Sequence, residues 1–158
     1  MTKLSFQHFW NFSVTHYLAG ENKRCCLTLQ DQYGVNVNLL LLLGWCITHH
    51  KIVTLVQWNE LQGAIEQSDE NLKAHRHRRQ KEKQKTQFDS ARYQLLKDQE
   101  LVLERRQQAD MLEQFSQQVH LCIEPDQVNG SIPAFVHSYN LRGKPDALAL
   151  MAEVINSL

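Results

Sequence analysis

The chain has 158 residues, a length that suits one domain or a larger domain with a small appendage. Its 17 Lys and Arg residues balance 17 Asp and Glu residues, so no overall positive charge points to a nucleic-acid partner. The longest apolar run, Leu39 to Leu43, is far shorter than the ~20 residues of a membrane span. Residues 1–20 lack the continuous apolar segment of a secretory signal. We therefore expect a cytoplasmic protein with reduced cysteines that does not bind a membrane.

The spacing of apolar residues predicts four helices up to about Ile65. The first follows Ser5, and the second covers about Asn22–Tyr33. The third follows Asn36 and is apolar nearly all round, so it should lie at the centre of the core. The fourth begins at Thr54, because Thr followed three residues later by Gln has the form of a capping box. We expect these helices to pack as one bundle.

A strongly basic run follows the fourth helix. It contains one acidic residue, Glu82, and seven basic residues, which give it a net charge of +6: Lys73, Arg76, Arg78, Arg79, Lys81, Lys83 and Lys85. This composition suits a surface that contacts phosphates, since each neutralised phosphate releases counterions. The alternative is an ordinary solvated helix face or connection, because Lys, Arg, Gln and Glu are good helix formers.

The remainder of the chain divides at about residue 117. Before it, Phe88, Leu95, Val102 and Ala109 repeat every seven residues and predict a long amphipathic helix. The predicted fold is therefore mainly α, with a helical region at residues 1–116 that mediates self-association or binds a partner.

The tail, residues 117–158, has a different pattern. Apolar and polar residues alternate over residues 119–124, which predicts a strand, and residues 134–139 form a second extended stretch after two turn segments. Pro145 suits the first turn of a last helix, which reaches Leu158. The tail is thus predicted to be a small β-hairpin plus a helix.

Two motifs in the N-terminal half resemble those of a family of conserved bacterial hypothetical proteins. They are F-W-x-F-S at residues 9–13 and L-Q-D-x-x-G-x-N-V-N at residues 29–38. The resemblance extends over about residues 6–113. It implies a cytoplasmic protein and a shared fold, and it carries no activity that can be transferred to this chain.

The tail resembles the C-terminal DNA-binding domain of the H-NS family of nucleoid-associated silencers. In that domain a Q-G-R loop after two strands enters the minor groove of DNA. Here Leu141, Arg142, Gly143 and Lys144 stand at that place, so the Gln of the family motif is missing. The resemblance implies binding of A/T-rich DNA and association with the nucleoid.

The chemistry of this loop is compatible with that role. The narrow minor groove of A/T-rich DNA attracts inserted Arg and Lys side chains, and Gly143 would let the backbone approach closely because it has no Cβ. The alternative is a surface turn before a helix, where Gly, Lys and Pro are all common.

No familiar catalytic motif or metal-ligand spacing occurs in the sequence, so we expect no enzyme activity, no cofactor and no metal. The nearest candidates for metal ligands are His49 with His50 and His120 with Cys122. A polar pocket for a small ligand could involve three further residues, for which we favour helix capping and hydrogen bonds between helices. These residues are Asp31, Asn36 and Asn38.

Two hypotheses of function follow. The first is a DNA-binding transcriptional regulator of the H-NS type, which contacts DNA through Arg142, Gly143 and Lys144 with help from the basic run. The second is a non-enzymatic protein-interaction adaptor of helical-bundle type, in which the tail completes the fold. A third and weaker possibility is an enzyme or small-ligand binder that uses the polar groups near Asp31 and Asn38.

Overall fold

The computed structural model of the protein describes residues 4–158. Over these residues the chain forms seven helices: α1 (Phe6–Leu18), α2 (Asn22–Tyr33), α3 (Val37–Thr48), α4 (Leu55–Lys83), α5 (Ser90–Gln117), α6 (Ser131–Ser138) and α7 (Pro145–Asn156). This confirms the prediction of a mainly α fold. None of these helices is both long and apolar enough to cross a membrane.

The predicted starts of α1, α3 and α4 are confirmed. Each start depends on hydrogen bonds between neighbouring residues, which the sequence shows directly. The Ser5 hydroxyl accepts a hydrogen bond from the backbone N–H of His8 at 3.2 Å, which caps α1. Asn36 caps α3 in the same way, through a 3.0 Å bond from the N–H of Leu39. The capping box formed by Thr54 and Gln57 opens α4 with both of its reciprocal bonds in place.

Helix α3 lies at the centre of the core. Its residues from Leu39 to Cys46 are all buried, as the apolar composition of this helix predicts. Helices α1, α2, α5 and α6 all contact α3. The protein is therefore built around one apolar helix that its neighbours must cover.

Helices α4 and α5 form a long antiparallel hairpin, which is the most extensive contact between any two elements of the structure. Helix α4 has 29 residues, so it is about 43 Å long at a rise of about 1.5 Å per residue. At one end of the hairpin, Gln118 donates a hydrogen bond to the backbone oxygen of Gln57 at 3.0 Å. At the other end, Arg79 of α4 contacts Glu100 and Tyr93 of α5. The basic run from Lys73 to Lys83 is thus the last part of a regular helix, and Lys85 lies in the connection that follows it.

The predicted C-terminal β-hairpin is wrong, since the described residues contain no strand of a sheet. Residues 119–124 are extended, but they pair at a single bridge, between Lys51 and Cys122, and not with residues 134–139. The backbone N–H of Ile52 donates to the oxygen of Leu121 at 2.8 Å, and the N–H of Ile123 donates to His50 at 2.9 Å. The alternating pattern therefore reflects a short extended segment whose partner is the turn between α3 and α4.

The second predicted strand is helix α6. Ile132, Phe135, Val136 and Tyr139 lie at spacings of three and four residues, which places them on one face of a helix. In a strand, Phe135 and Val136 would point to opposite faces. The fully buried ring of Phe135 packs edge-to-face on Trp58, with 5.1 Å between ring centroids. Burial of this face explains why the helix forms.

The tail packs on the helical core. Phe135, Leu141 and Met151 belong to the same cluster of buried residues as α3. Helix α7 lies along α2, where the side-chain amide of Asn22 donates to the Ser157 hydroxyl at 2.7 Å. Pro145 occupies the first turn of α7, as predicted. The division of the chain into residues 1–116 and 117–158 stays a prediction.

The substitution Phe135→Ala tests how firmly the tail is packed. Removal of a fully buried aromatic ring should lower the free energy of unfolding by about 3–5 kcal/mol. The control, Val128→Ala, lies in the same tail but is 89% exposed and should change the value by less than about 0.5 kcal/mol. Urea unfolding followed by far-ultraviolet circular dichroism measures both. A loss below about 1 kcal/mol for Phe135→Ala would contradict this packing.

His120 gives the fold a pH dependence. Its ring stacks on Phe115 with 4.1 Å between centroids, and its Nε2 lies 2.9 Å from the side-chain oxygen of Gln118. Burial, helped by the charge of Lys51, lowers the pKa of His120 to about 4. The unfolded chain takes up this proton at about pH 6.5. The neutral ring therefore stabilises the fold fully above pH 6.5, and this stabilisation is lost as the pH falls toward 4.

Between pH 6.5 and 4, the free energy of unfolding of the wild-type protein should thus fall more steeply than that of His120→Gln, which has no proton to gain at this position. Urea titrations at half-unit pH intervals give both curves. Parallel curves would show that His120 is not buried in this way.

Candidate binding groove

A groove lies between helices α1–α3 and the α4–α5 hairpin. Its volume is about 720 Å³, and it is open to solvent along one side. We call it the interhelical groove and define it by one or two lining residues from each of the five helices: Val14, Leu27, Asn38, Arg76, Leu101 and Gln108. A concave surface of this size is the usual place for a ligand or a partner segment.

Part of the lining of the interhelical groove is apolar. Val14, Leu27 and Leu101 come from α1, α2 and α5, and each is about 40% exposed, at 42%, 40% and 43%. Trp10 adds an aromatic ring, on which the Arg105 guanidinium stacks at 4.8 Å from the ring centroid. Exposed apolar side chains that converge in a concavity favour contact with another apolar surface.

Another part of the lining consists of ion pairs between α4 and α5. Arg76 lies 3.4 Å from a carboxylate oxygen of Glu100 and 3.5 Å from one of Glu104, and Arg79 contacts Glu100. The side chains of Arg76 and Glu100 are only 15% and 13% exposed. Burial raises the pKa of Glu104, although Arg76 opposes this shift. These pairs fix the two helices relative to each other.

Tyr17 and Tyr93 face this ion-pair cluster. Burial raises the pKa of Tyr17 to about 12, so its hydroxyl stays protonated and can donate a hydrogen bond at neutral pH. The hydrogen bond from Arg79 lowers the pKa of Tyr93. Both tyrosines line the interhelical groove. Their aromatic rings thus lie beside the ion pairs in this part of the lining.

The structure places the basic run along the distal half of α4 and neutralises much of it. Arg76 and Arg79 pair with α5, Lys73 lies 3.0 Å from Asp69, and Lys85 lies 2.8 Å from Glu82. The members of the run that form no ion pair within residues 4–158 are Arg78, Lys81 and Lys83, and all three are exposed. The run is therefore not a continuous cationic surface.

The loop of Arg142, Gly143 and Lys144 is exposed and joins α6 to α7. Gly143 has φ +85°, a left-handed conformation that favours glycine, and the Lys144 N–H closes the turn on the oxygen of Leu141 at 3.0 Å. The three loop residues are not part of the groove lining. No hydrogen bond or ion pair among the described residues joins the loop to the basic run.

A ladder of side-chain amides crosses the inner end of the groove. Asn38 donates to Gln107 at 2.8 Å, Gln108 donates to Asn38 at 3.0 Å, and Gln107 donates to the Ser68 hydroxyl at 3.2 Å. Asn36 joins it through a 3.0 Å bond to Gln107. The expected hydrogen bonding of Asn38 between helices is confirmed. Asp31 is instead exposed on the surface of α2.

Sequence reasoning singled out Asn36 and Asn38 but missed Gln107 and Gln108, their partners on α5. Both glutamines are almost fully buried, at 0% and 2% exposure, although Gln is usually a surface residue. The predicted seven-residue repeat of Leu95, Val102 and Ala109 is exposed instead. The one available signal was spacing, because Gln107 and Gln108 lie four residues before the buried Met111 and Leu112 and share their helix face.

The metal-ligand candidates have other partners. The Nδ1 atom of His49 lies 2.9 Å from the backbone oxygen of Trp45, and its ring stacks on the indole. The Nε2 atom of His120 lies 2.9 Å from the side-chain oxygen of Gln118, and its ring stacks on Phe115. Across the described part of the chain, no three His, Cys, Asp or Glu residues form a group that could hold a metal ion.

Comparison with known proteins gives one match, and it covers the helices that form the groove. The model of a family described as "Protein of unknown function (DUF2390)" matches residues 8–111. No curated protein and no solved structure matches the chain. The matched segment contains every residue that lines the interhelical groove, whereas Arg142, Gly143 and Lys144 lie outside it.

Proposed function

We propose that this chain, which belongs to the DUF2390 family of proteins of unknown function, is a protein-interaction adaptor whose interhelical groove binds an acidic amphipathic helix of a partner protein. The observation that carries the proposal is the groove itself, which combines exposed apolar side chains with lysines that have no acidic partner. The expectation that the chain lacks enzyme activity belongs to this proposal.

The shape and apolar lining of the groove favour a helix. A bound amphipathic helix places apolar side chains at positions i, i+3, i+4 and i+7 along one face, and such a face packs into a groove between helices. Val14, Leu27 and Leu101 provide contacts for these anchors from three different helices. The open side accommodates the polar face of the partner helix, which stays in water.

The charges at the groove favour an acidic partner. Lys23, Lys83 and Lys97 line it from α2, α4 and α5, and none of them has a carboxylate oxygen within 4 Å in the described residues. The ammonium groups of Lys83 and Lys97 lie 6.0 and 5.6 Å from the Tyr93 ring centroid. Of the groove carboxylates, Glu100 and Glu104 are paired with arginine, and Asp98 accepts a hydrogen bond from Gln94 at 2.9 Å. The five cations of the lining therefore outnumber its three carboxylates.

This lining suits a protein better than a nucleic acid. A surface that binds the phosphate backbone needs many cations whose charge is not already matched, and of the five cations in this lining only the three lysines have no carboxylate partner within residues 4–158. Exposed valine and leucine side chains offer nothing to phosphates. They fit the apolar face of a helix.

A displayed library of 18-residue helical peptides, with leucine fixed at i, i+3 and i+7 and the other positions varied, tests the adaptor function. The wild-type protein should enrich peptides with a net negative charge. Val14→Glu/Leu101→Glu should bind the enriched peptides at least ~10-fold more weakly, because two apolar contacts are lost and two charges repel the peptide.

The matched control is Leu95→Glu/Val102→Glu, which adds the same two charges at exposed apolar positions of α5 outside the groove lining. It should bind the same peptides at least ~3-fold more tightly than Val14→Glu/Leu101→Glu, since it adds the same charge but keeps the apolar contacts of the groove. Absence of enrichment, or equal loss of binding in both variants, would rule out the groove as the binding site. Self-association through this groove would appear as a concentration-dependent mass in the absence of peptide.

DNA binding through the loop is the second candidate function. The observation that favours it is local: Arg142 and Lys144 are exposed on either side of Gly143, whose positive φ and missing Cβ allow a close approach of the backbone. Arg78, Lys81 and Lys83 could add contacts to phosphates. The corrected fold of the tail removes the β-hairpin that supports such a loop in the H-NS family.

For this second candidate, we expect binding to A/T-rich duplexes to exceed binding to G/C-rich duplexes and to weaken steeply with salt. Arg142→Ala/Lys144→Ala should abolish the difference between the duplexes. The control Arg24→Ala/Arg106→Ala removes two charges elsewhere and should preserve it. Fluorescence anisotropy at several salt concentrations gives these values, and no binding at low salt would reject the DNA hypothesis.

A further inference from the structure

The outer face of helix α5 carries apolar side chains that remain exposed. Leu95 and Val102 are 56% and 66% exposed, and Ala91 and Ala109 are exposed as well. All four lie within about 40° of Leu95 around the helix axis, at about 100° per residue. Met111 lies on the opposite face and is fully buried, so these four residues point away from the core. We call them the α5 stripe.

The α5 stripe has the spacing of a contact between two helices. Leu95, Val102 and Ala109 repeat every seven residues, and this period keeps one line of side chains facing a neighbouring helix. From Ala91 to Ala109 the stripe is about 27 Å long at a rise of about 1.5 Å per residue. None of its residues lines the interhelical groove. Single exposed apolar residues are common, but a regular row of them indicates a partner helix.

Two charged residues at one border of the α5 stripe identify this partner as a second copy of the same helix. Asp98 and Arg105 are both exposed, and neither has an ion-pair partner within residues 4–158. Arg105 stacks on Trp10, which holds its guanidinium at this border. The two residues lie four positions before and three positions after Val102. When two copies of α5 run antiparallel with their Val102 side chains opposite each other, Asp98 of each copy therefore lies beside Arg105 of the other.

The charges at the other border fit the same arrangement. Arg92 and Glu113 lie ten positions before and eleven positions after Val102, so Arg92 of each copy comes beside Glu113 of the other. Arg92 lies 3.4 Å from Glu82, but its side chain is 64% exposed and accessible to a second carboxylate. Opposite charges thus meet on both sides of the apolar contact, which favours this register.

Other arrangements of the two helices bring like charges together. In a parallel pair, Asp98 lies beside Asp98 of the second copy. An antiparallel pair shifted by one seven-residue repeat, with Leu95 opposite Val102, also places Asp98 beside Asp98. Like charges in contact oppose association. The arrangement centred on Val102 avoids this repulsion, and it places the large Leu95 opposite the small Ala109.

We propose that two copies of this chain form an antiparallel dimer through the α5 stripe, about a two-fold axis at Val102. This inference is independent of the proposed adaptor function, because the stripe and the groove lining share no residue. Each copy contributes two large apolar side chains, Leu95 and Val102, so the interface is small. The dimer should therefore be weak, with a Kd on the order of 10–100 µM.

Sedimentation equilibrium between ~5 and ~500 µM tests the dimer, and the wild-type protein should pass from mostly monomer to mostly dimer over this range. Leu95→Glu/Val102→Glu should weaken association at least ~10-fold, because it brings four carboxylates into the apolar contact. The matched control, Val14→Glu/Leu101→Glu, adds the same charge in the groove and should associate at least ~3-fold more tightly than the stripe variant.

Three results of this measurement would overturn the dimer. They are a monomer at every concentration, an equal loss of association in both variants, and the reverse order of the two variants, which would place the contact in the groove.

Charge reversal tests the pairing at the border. Asp98→Arg puts two arginines side by side and should weaken the dimer roughly 3- to 10-fold. Asp98→Arg/Arg105→Asp restores opposite charges and should return the Kd to within about threefold of the wild-type value. The double variant also loses the stack on Trp10, so its circular dichroism spectrum and Tm are compared with those of the wild type. A correctly folded double variant that dimerises no better than Asp98→Arg would show that these residues do not pair.

Cysteine cross-linking tests the direction of the helices. The background is Cys122→Ser, which removes the exposed native thiol. Val102→Cys should form a disulfide-linked dimer under mild oxidation, because the two residues meet on the axis. Leu95→Cys should cross-link at least ~10-fold more slowly, because the two copies of this residue lie about 21 Å apart along the helices. Equal cross-linking of both variants would indicate a parallel pair and overturn the antiparallel dimer.

Discussion

The burial of helix α3 constrains the arrangement of every other helix. From Leu39 to Cys46 it has no polar side, so α1, α2, α5 and α6 must surround it. Its N-terminus is different, because Asn36 and Asn38 bring polar groups to the edge of an otherwise apolar core. Those groups have to be paired, and Gln107 and Gln108 of α5 pair them. The amide ladder is thus the polar boundary of the α3 core.

The difference in length between the helices creates the groove. Helix α3 has 12 residues and spans about 18 Å, whereas α4 spans about 43 Å at the same rise per residue. The α4–α5 hairpin therefore extends well beyond the core, and its distal half has no apolar helix to pack on. Ion pairs of Arg76 and Arg79 with Glu100 connect the two helices there. The overhanging hairpin and the edges of α1 and α2 leave the space that becomes the interhelical groove.

Features encoded in a few adjacent residues could be predicted from the sequence. The caps at Ser5, Asn36 and Thr54 depend on residues within one turn of each helix, and all three were predicted correctly. The alternating segment at residues 119–124 is indeed extended, but its partner, Lys51, lies about 70 residues away and was not predictable. The spacing of Ile132, Phe135 and Tyr139 is that of a helix, but a short apolar stretch of this length is equally compatible with a buried strand.

Two features could not be predicted, and the reason is the same for both: the neutralisation of the basic run and the formation of the groove depend on residues far apart in the sequence. The carboxylate that neutralises Arg76 and Arg79 belongs to Glu100, which lies on the other helix of the hairpin. Its role becomes visible only when the register between α4 and α5 is known. The groove likewise joins Val14, Leu27 and Leu101, which are isolated apolar residues in the sequence and neighbours only in the folded chain.

The same internal pairing determines which kind of recognition the groove can support. Because Glu100 and Glu104 already neutralise the arginines of the groove, a charged partner gains little by replacing these contacts and would have to break them first. Lys23, Lys83 and Lys97 have no carboxylate partner within residues 4–158, so they can attract an acidic segment from a distance. Attraction of this kind is poorly selective, since many helices are acidic. Selectivity therefore has to come from the fit of apolar side chains, and in this groove Val14, Leu27 and Leu101 provide the contacts for such a fit.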